Sequence, residues 1–468
     1  MAGDAGARSR DRNTPSCVWL VTTSQVGYPK PVSGQVARLL ASHFPGSERE
    51  LVVGELPVSA LAERFGTPLY VYDRGAMERR LQAVRSALGP RVDVLFALKA
   101  NPSVGVAQVF AEAGAGAEVA SAGEIVVARH AGFEGHQMQF AGPGKHGPDL
   151  DHALSAGVTL NVESRGELEA IAAAAAAREV QASVALRVNP PASMSGSRMR
   201  MSGGSAKFGI DVDLLDEVAR RATEMPSVRL VGLHTYAGTQ TFDAEGWLRH
   251  ARALLEAAAQ VEAATGAPLE RLNFGGGFGV PLFAKDTPFD LASAGEGLRA
   301  LIAEDAREDR RYAVELGRFL VAEAGLFLTR VLYVKESQGT RHAILDGGMN
   351  QHAAATGVGS VFQRSFPVVK ANDVRAEGEA GCRLGGPLCT PADAFPEVPG
   401  LPELVPGDLV AFLASGAYGL TFSNVLFLSH PLPAEVLVDG DRAVLLRERG
   451  APEDALRGQR RIGEGAPA

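Results

Sequence analysis

Residues 94–141, VLFALKANPSVGVAQVFAEAGAGAEVASAGEIVVARHAGFEGHQMQFA, set the fold. An apolar run, Val94–Leu98, leads into a helix-patterned stretch, Val106–Ala113. A second short run, Glu118–Ala120, a second helical pattern, Glu124–Ala131, and a third run, Met138–Ala141, follow at once. Strands that alternate with helices build a parallel sheet, because each crossover needs a helix to return the chain. The same rhythm continues through Val158–Val162, Val184–Val188, Leu230–Tyr236, Leu272–Phe274 and Tyr312–Glu315. Between these runs lie the helical patterns Gly166–Arg178, Leu214–Thr223, Gly246–Ala263 and Ala294–Ala306. Eight strand–helix units predict an α/β fold closed into a (β/α)8 TIM-like barrel. A doubly wound open sheet is the alternative, and the absence of a Gly-x-Gly-x-x-Gly after the first strand counts against it.

Outside the barrel the character changes. Residues 1–50 are rich in Gly, Ser, Arg and Pro and read as a mobile extension with one short helix near Ala37–Phe44. A helix over Val58–Phe65 and a strand over Leu69–Tyr72 precede the helical segment Met77–Leu88. Beyond Arg318, short runs at Leu326–Val334, Arg341–Leu345, Leu409–Phe412 and Glu435–Val438 sit between Gly/Pro turns and predict an all-β C-terminal domain. The expected division is a barrel over 73–320, a β domain from 51–72 and 321–450, and a flexible tail over 451–468. The stretch Asn189–Ala206, full of Ser, Gly and Met, reads as a solvated loop or an active-site lid after strand five.

Composition bounds the function. The 468 residues carry 46 Lys+Arg against 54 Asp+Glu, a net charge of −8 with no basic tract, so nucleic acid and anionic membrane surfaces are poor partners. No apolar run approaches the roughly 18 residues of a membrane span, and Cys17–Val21 is too short for a signal-peptide core. Three cysteines, Cys17, Cys382 and Cys389, form neither a disulfide framework nor a zinc pattern, so no metal is expected. These features point to a soluble, cytoplasmic, multidomain protein.

In a β/α barrel the reactive groups lie at the C-terminal ends of the strands, with phosphate near strands seven and eight. Only seven lysines occur, and Lys99 stands at the end of the apolar first strand. Lost hydration there is expected to lower its pKa and free the amine for Schiff-base chemistry, although a lysine snorkelling from a barrel rim would look the same. Gly275, Gly276 and Gly277 after strand seven let backbone N–H groups approach an anion, and Arg318 after strand eight adds a cation. Amine, anion cradle and the acid Glu315 together match the needs of pyridoxal 5'-phosphate.

On six motifs the chain resembles the fold-type III pyridoxal-phosphate decarboxylases that include diaminopimelate, ornithine and arginine decarboxylases. The motifs are Phe-Ala-Leu-Lys-Ala-Asn (96–101), Gly-Gly-Gly-Phe-Gly (275–279), Glu-Leu-Gly-Arg (315–318), Asp-Gly-Gly-Met-Asn (346–350), Gly-Pro-Leu-Cys-Thr (386–390) and Gly-Ala-Tyr-Gly (416–419). The resemblance spans roughly Leu51 to Glu448 and implies an alanine-racemase-like fold. It implies that Lys99 forms the aldimine with the cofactor and that Glu315 meets the pyridine nitrogen, supporting decarboxylation through a quinonoid. It places Thr239, Gly275–Gly277, Arg318 and Tyr418 at the phosphate, and Glu118 and Arg187 near the ring and the amine. It makes Cys389 the acid that reprotonates Cα, reaching across from a second subunit of a homodimer, with Lys207 pairing with Asp393 over that interface.

Three departures bear on substrate. Tyr236 stands where the family stacks a histidine on the ring, and His234, two residues earlier, reads equally as an ordinary strand histidine. Thr390 follows the cysteine where the family carries an acid against a distal ammonium, and a buried ammonium without a partner is costly. Asp346 could still meet an amine, and Arg364 could take a carboxylate or phosphate. The residues after Asn350 lack the Arg-Pro-x-x-Tyr pattern of diaminopimelate decarboxylases, and this section is most similar to the natural-product subgroup acting on glutamate tethered to a carrier protein. The expectation is a decarboxylase for a neutral, acidic or carrier-bound amino acid. Diaminopimelate decarboxylase and a racemase are enzyme alternatives, and a decarboxylase-like cofactor-binding regulator is the non-enzyme one.

Overall fold

The computed structural model describes residues 34–189, 199–200, 206–236, 238–283, 285–305, 307–358, 365–376, 378, 381–398 and 400–462. Eight parallel strands, Val92–Ala97, Gly116–Val119, Met138–Phe140, Thr159–Val162, Ala182–Asn189, Val228–Thr235, Arg271–Gly276 and Arg311–Leu316, pair in chain order. The last pairs with the first, Glu315 opposite Leu95, so the sheet closes into the expected barrel and leaves no open edge.

The strand-to-helix turns are set by local chemistry. After the second strand, Ser121 Oγ accepts from the Glu124 N–H while Glu124 Oε2 accepts from the Ala120 N–H. After the fourth, Ser164 accepts from the Glu167 N–H and Glu167 accepts from the Glu163 N–H. Reciprocal caps of this kind satisfy helix donors that have no intrahelical partner and start the helix three residues past the strand end, at Ala122 after Val119 and at Arg165 after Val162. One barrel helix, Pro148–Ala156, has no counterpart in the apolar pattern. Its signals are terminal: Pro148 in the first turn with Asp149 and Asp151, and Gly157 at φ 72° as the stop.

The outer ring is completed from before the barrel. Strand eight is followed only by the four-residue helix Arg318–Val321. The remaining place is filled by Arg74–Leu88, which packs between Leu291–Glu304 and Val104–Glu112. Asp73 caps it by accepting from the Ala76 N–H at 3.0 Å, so the helix begins three residues before Met77.

The β domain is likewise built from both sides of the barrel. Its sheet runs Val368–Lys370, Leu409–Phe412, Gly325–Ser337, Leu69–Asp73, Ala434–Asp439, Arg442–Arg447. Leu69–Asp73 lies in the middle, antiparallel to Gly325–Leu328 and parallel to Ala434–Val438, and all five of its residues are buried. Thr340–Leu345 and Cys382–Gly385 extend the sheet from Gly325–Ser337. The run expected over Leu326–Val334 is a longer, thirteen-residue strand that joins these pairings.

Residues 1–33, Arg364 and most of the expected loop over Asn189–Ala206 lie outside the described residues. Within that loop, Met199–Arg200 pairs antiparallel with Gly238–Thr239, just past the end of strand six. No helix among the described residues is long and apolar enough to cross a membrane.

Candidate active site

The barrel interior turns polar toward its C-terminal end, where Glu118, Arg187, His234, Asn273 and Glu315 are all buried. A small cavity opens there, lined by Lys99, Tyr236, Thr239, Gly277, Glu315, Arg318 and Tyr418 among others. Seven of the residues expected at the cofactor thus meet in one place.

Lys99 sits in a short 3-10 turn, Leu98–Ala100, immediately after strand one. Its Nζ lies 2.8 Å from both oxygens of Glu118, and 40% of its side-chain surface is open. The expected lowering of its pKa does not occur. Burial works against the charge, but the Glu118 carboxylate, helped by Tyr236, Glu315 and Tyr418, outweighs burial and holds the ammonium above its ordinary pKa. Burial in turn pushes Glu118 up to about 7 despite Lys99. The Lys99 ammonium also lies 5.8 Å from the Tyr236 ring centre.

Glu315 is held by groups the sequence left unassigned. Its Oε1 is 3.0 Å from His234 Nε2 and accepts from Asn273 Nδ2 at 2.8 Å. Asn273 donates also to Gln139 Oε1, and its own Oδ1 accepts from the Gly275 N–H. Burial would raise Glu315, but His234, with Lys99 and Arg187, keeps its carboxyl below the ordinary value. His234 thus meets the carboxylate expected at the cofactor. The available signal was its two-residue spacing from Tyr236, which points both side chains to the same side of the strand.

The anion end is built from two loops. The register between strands seven and eight slips between Asn273 and Gly276. Gly277 has φ 81°, and a Cβ there would lie 1.9 Å from the Gly238 carbonyl oxygen, so only glycine fits. Arg318 has its guanidinium 4.5 Å from the Tyr418 ring centre, and its buried Nε has no hydrogen-bond partner. Among the described residues it pairs with no carboxylate. Burial lowers its pKa. Tyr418 comes from the β domain at φ 53°. Its N–H donates to Ala100 O at 2.7 Å, and Asn101 Nδ2 donates to Gly416 O at 2.9 Å. These bonds dock the Gly-Ala-Tyr-Gly turn on the lysine turn. A half-buried arginine whose buried Nε lacks a partner, a glycine loop, an amine and a fixed carboxylate in one cavity fit pyridoxal phosphate.

Other expected residues lie elsewhere. Arg187 is buried and pairs with Glu163 at 2.8 Å, with its guanidinium 4.9 Å from the Phe208 ring centre. Asp346 does not reach the cavity. Its carboxylate accepts from Thr67 Oγ1 at 2.5 Å and from the Arg330 N–H at 2.9 Å, inside the β domain. Asp393 is engaged within its own chain. It is buried and accepts from the Met349 and Leu388 N–H groups at 2.7 and 2.8 Å. It thereby ties the loop of residues 386–390 to that of 346–350, while Lys207 is exposed with its ammonium 5.0 Å from the Phe208 ring centre. On the tied loop Cys389 is exposed and does not line its own chain's cavity, and the half-buried Thr390 accepts from the Ala392 N–H.

Known proteins share this sequence pattern and fold. The pyridoxal-binding domain of the pyridoxal-dependent decarboxylases matches residues 74–322. The L-glutamyl-[BtrI acyl-carrier protein] decarboxylase of Niallia circulans is 36% identical over 408 residues, 85% of this chain and 95% of that protein. The diaminopimelate decarboxylase of Pseudomonas aeruginosa is 34% identical over 89% of this chain and 98% of its own. The crystal structure of diaminopimelate decarboxylase from M. jannaschi superposes with a TM-score of 0.81 at 26% identity, covering 88% of this chain and 96% of that one. The chain belongs to the fold-type III pyridoxal-phosphate-dependent decarboxylases.

Proposed function

We propose that the chain removes the α-carboxyl group of an amino acid that lacks a distal ammonium: neutral, acidic, or tethered to a carrier protein within a biosynthetic pathway. The observation that carries the chemistry is Glu315, a buried carboxylate fixed by His234 and Asn273 and held below its ordinary pKa. Bound pyridoxal phosphate supplies an electron sink for the pair left on Cα when the carboxylate departs as carbon dioxide. Glu315 serves that sink by presenting negative charge to the ring nitrogen and keeping its proton in place. Lys99 Nζ offers the amine, held in place by Glu118 at 2.8 Å. Arg318, Thr239, Tyr418 and the glycine loop bind and orient the phosphate, and Tyr236 offers a π-face to the ring. Arg187, locked on Glu163, borders the acid end of the barrel.

Reprotonation of Cα needs a donor above the cavity. Cys389 is exposed on a pinned loop and outside its own chain's cavity, as a residue serving a partner's site would be. The working unit in this reading is a homodimer with two shared sites.

For the substrate, Thr390 offers a hydroxyl and no charge, and Asp346 is occupied by Thr67 and Arg330. Two relatives carry names consistent with this. One acts on a glutamyl-carrier protein, and the other, from Staphylococcus aureus and 32% identical, is named for an alanine whose side chain ends in a hydroxybutanedioate. The test is carbon dioxide release by cofactor-loaded enzyme, with Lys99→Ala as control, from glutamate, glutamyl-carrier protein, diaminopimelate, ornithine, lysine and arginine. Release from a glutamyl substrate alone is expected. Efficient release from diaminopimelate would overturn the substrate reading and leave the chemistry standing.

A further inference from the structure

The helix Gly34–His43 precedes both the barrel and the β domain, and it is anchored at two points that lead to the anion end of the site. At one point, Gln35 Nε2 donates to Pro281 O at 2.6 Å. Pro281 follows Val280, whose N–H and carbonyl are both bonded to the side chain of Gln240, next to Thr239. This is the loop that carries Gly275–Gly277. At the other point, Arg38 Nη2 donates to Glu323 Oε1 at 2.7 Å, and His43 Nε2 lies 3.2 Å from Glu323 Oε2. Arg80 binds the same carboxylate and places its guanidinium 4.9 Å from the ring centre of Phe319, which lines the cavity beside Arg318. Although buried, Glu323 is held at about 2 by His43, Arg80 and Arg38. Val36, Leu39 and Leu40 are buried beneath the helix.

The loops leaving strands seven and eight meet through Phe278 and Phe319, whose ring centres lie 5.5 Å apart, and an anion held between them binds more tightly when their separation is fixed beforehand. We propose that the helix Gly34–His43 is a strap that sets the spacing of the two phosphate loops, with Gln35 and Arg38 as positioning residues for the cofactor's phosphate. The inference rests on the reading that the glycine loop and Arg318 hold that phosphate.

The test is a binding titration of cofactor-stripped, full-length protein, followed by absorbance and fluorescence, with two probes: pyridoxal 5'-phosphate and pyridoxal. In Gln35→Ala/Arg38→Ala the apparent Kd for the phosphate form is expected to rise about tenfold, the loss of a hydrogen bond's worth of preorganisation. The Kd for pyridoxal should stay within about twofold of wild type, because the ring and amine contacts are untouched. Arg38→Lys should recover part of the loss. Gln35→Ala alone, which removes one uncharged contact, gives the same comparison should the double variant fold poorly. An equal loss for both probes, or no loss for either, would overturn the strap. Wild-type protein that prefers pyridoxal phosphate over pyridoxal no more than Arg318→Ala does would overturn the phosphate assignment itself.

Discussion

At the scale of single residues, the site works by setting protonation through paired burial. Glu315 keeps its charge because His234 and Asn273 replace the water it lost. Glu315→Gln is therefore expected to retain the cofactor yet lower kcat by roughly 10²- to 10⁴-fold, the usual worth of a positioned acid–base partner. Steady-state rates alongside the cofactor's absorbance would check this. His250 shows the opposite case. It is buried behind strand six with Nε2 2.9 Å from Thr235 Oγ1. Burial, with His234 nearby, pulls it from 6.5 to about 4. The unfolded chain thus binds an extra proton between pH 6.5 and 4, so stability rises with pH across that window and is full above it. The contribution at stake is on the order of 3 kcal/mol. Urea midpoints at pH 5 and 7 should differ less in His250→Gln than in wild type.

At the scale of elements, the reactive loops are held by backbone accounting. Asp393 satisfies two buried N–H groups, one from each of the loops that carry Asp346–Asn350 and Gly386–Thr390. Two glycines make room for it: a Cβ at either Gly348 or Gly386 would lie 2.3 Å from its carboxylate. Asp393→Ala is expected to cost about 2–5 kcal/mol, the range for stranding two buried donors, measured by urea unfolding. Gly386→Ala should displace the cysteine loop, with activity falling further than stability does.

At the scale of the whole molecule, the barrel supplies the amine, acid and anion cradle, and the β domain supplies Tyr418 and the exposed Cys389. If each Cys389 serves a partner, Lys99→Ala and Cys389→Ala chains are inactive alone but complement each other. Equal mixing after dissociation should restore about a quarter of wild-type activity, since half the dimers are mixed and each holds one intact site. No recovery on mixing would place the reprotonating acid within one chain.

Much of this was legible in the sequence because it is local. Strand and helix alternation follows from period and end signals, and the lysine, glycine, acid and tyrosine motifs each occupy a few consecutive residues. Other features depend on residues far apart in the chain. The burial of Leu69–Asp73 at the centre of a sheet, the use of Arg74–Leu88 as the closing helix and the pinning role of Asp393 all arise from pairings across hundreds of residues or between two loops. The same holds for charge. Sequence placed a lysine in an apolar setting and so predicted a lowered pKa, but the nearby Glu118 reversed the sign. Asp346 looked available for substrate until Thr67 was brought beside it. Composition and motif determined what kind of protein this is; tertiary structure decided which charges face each other, because electrostatics depends on distance in space and not along the chain.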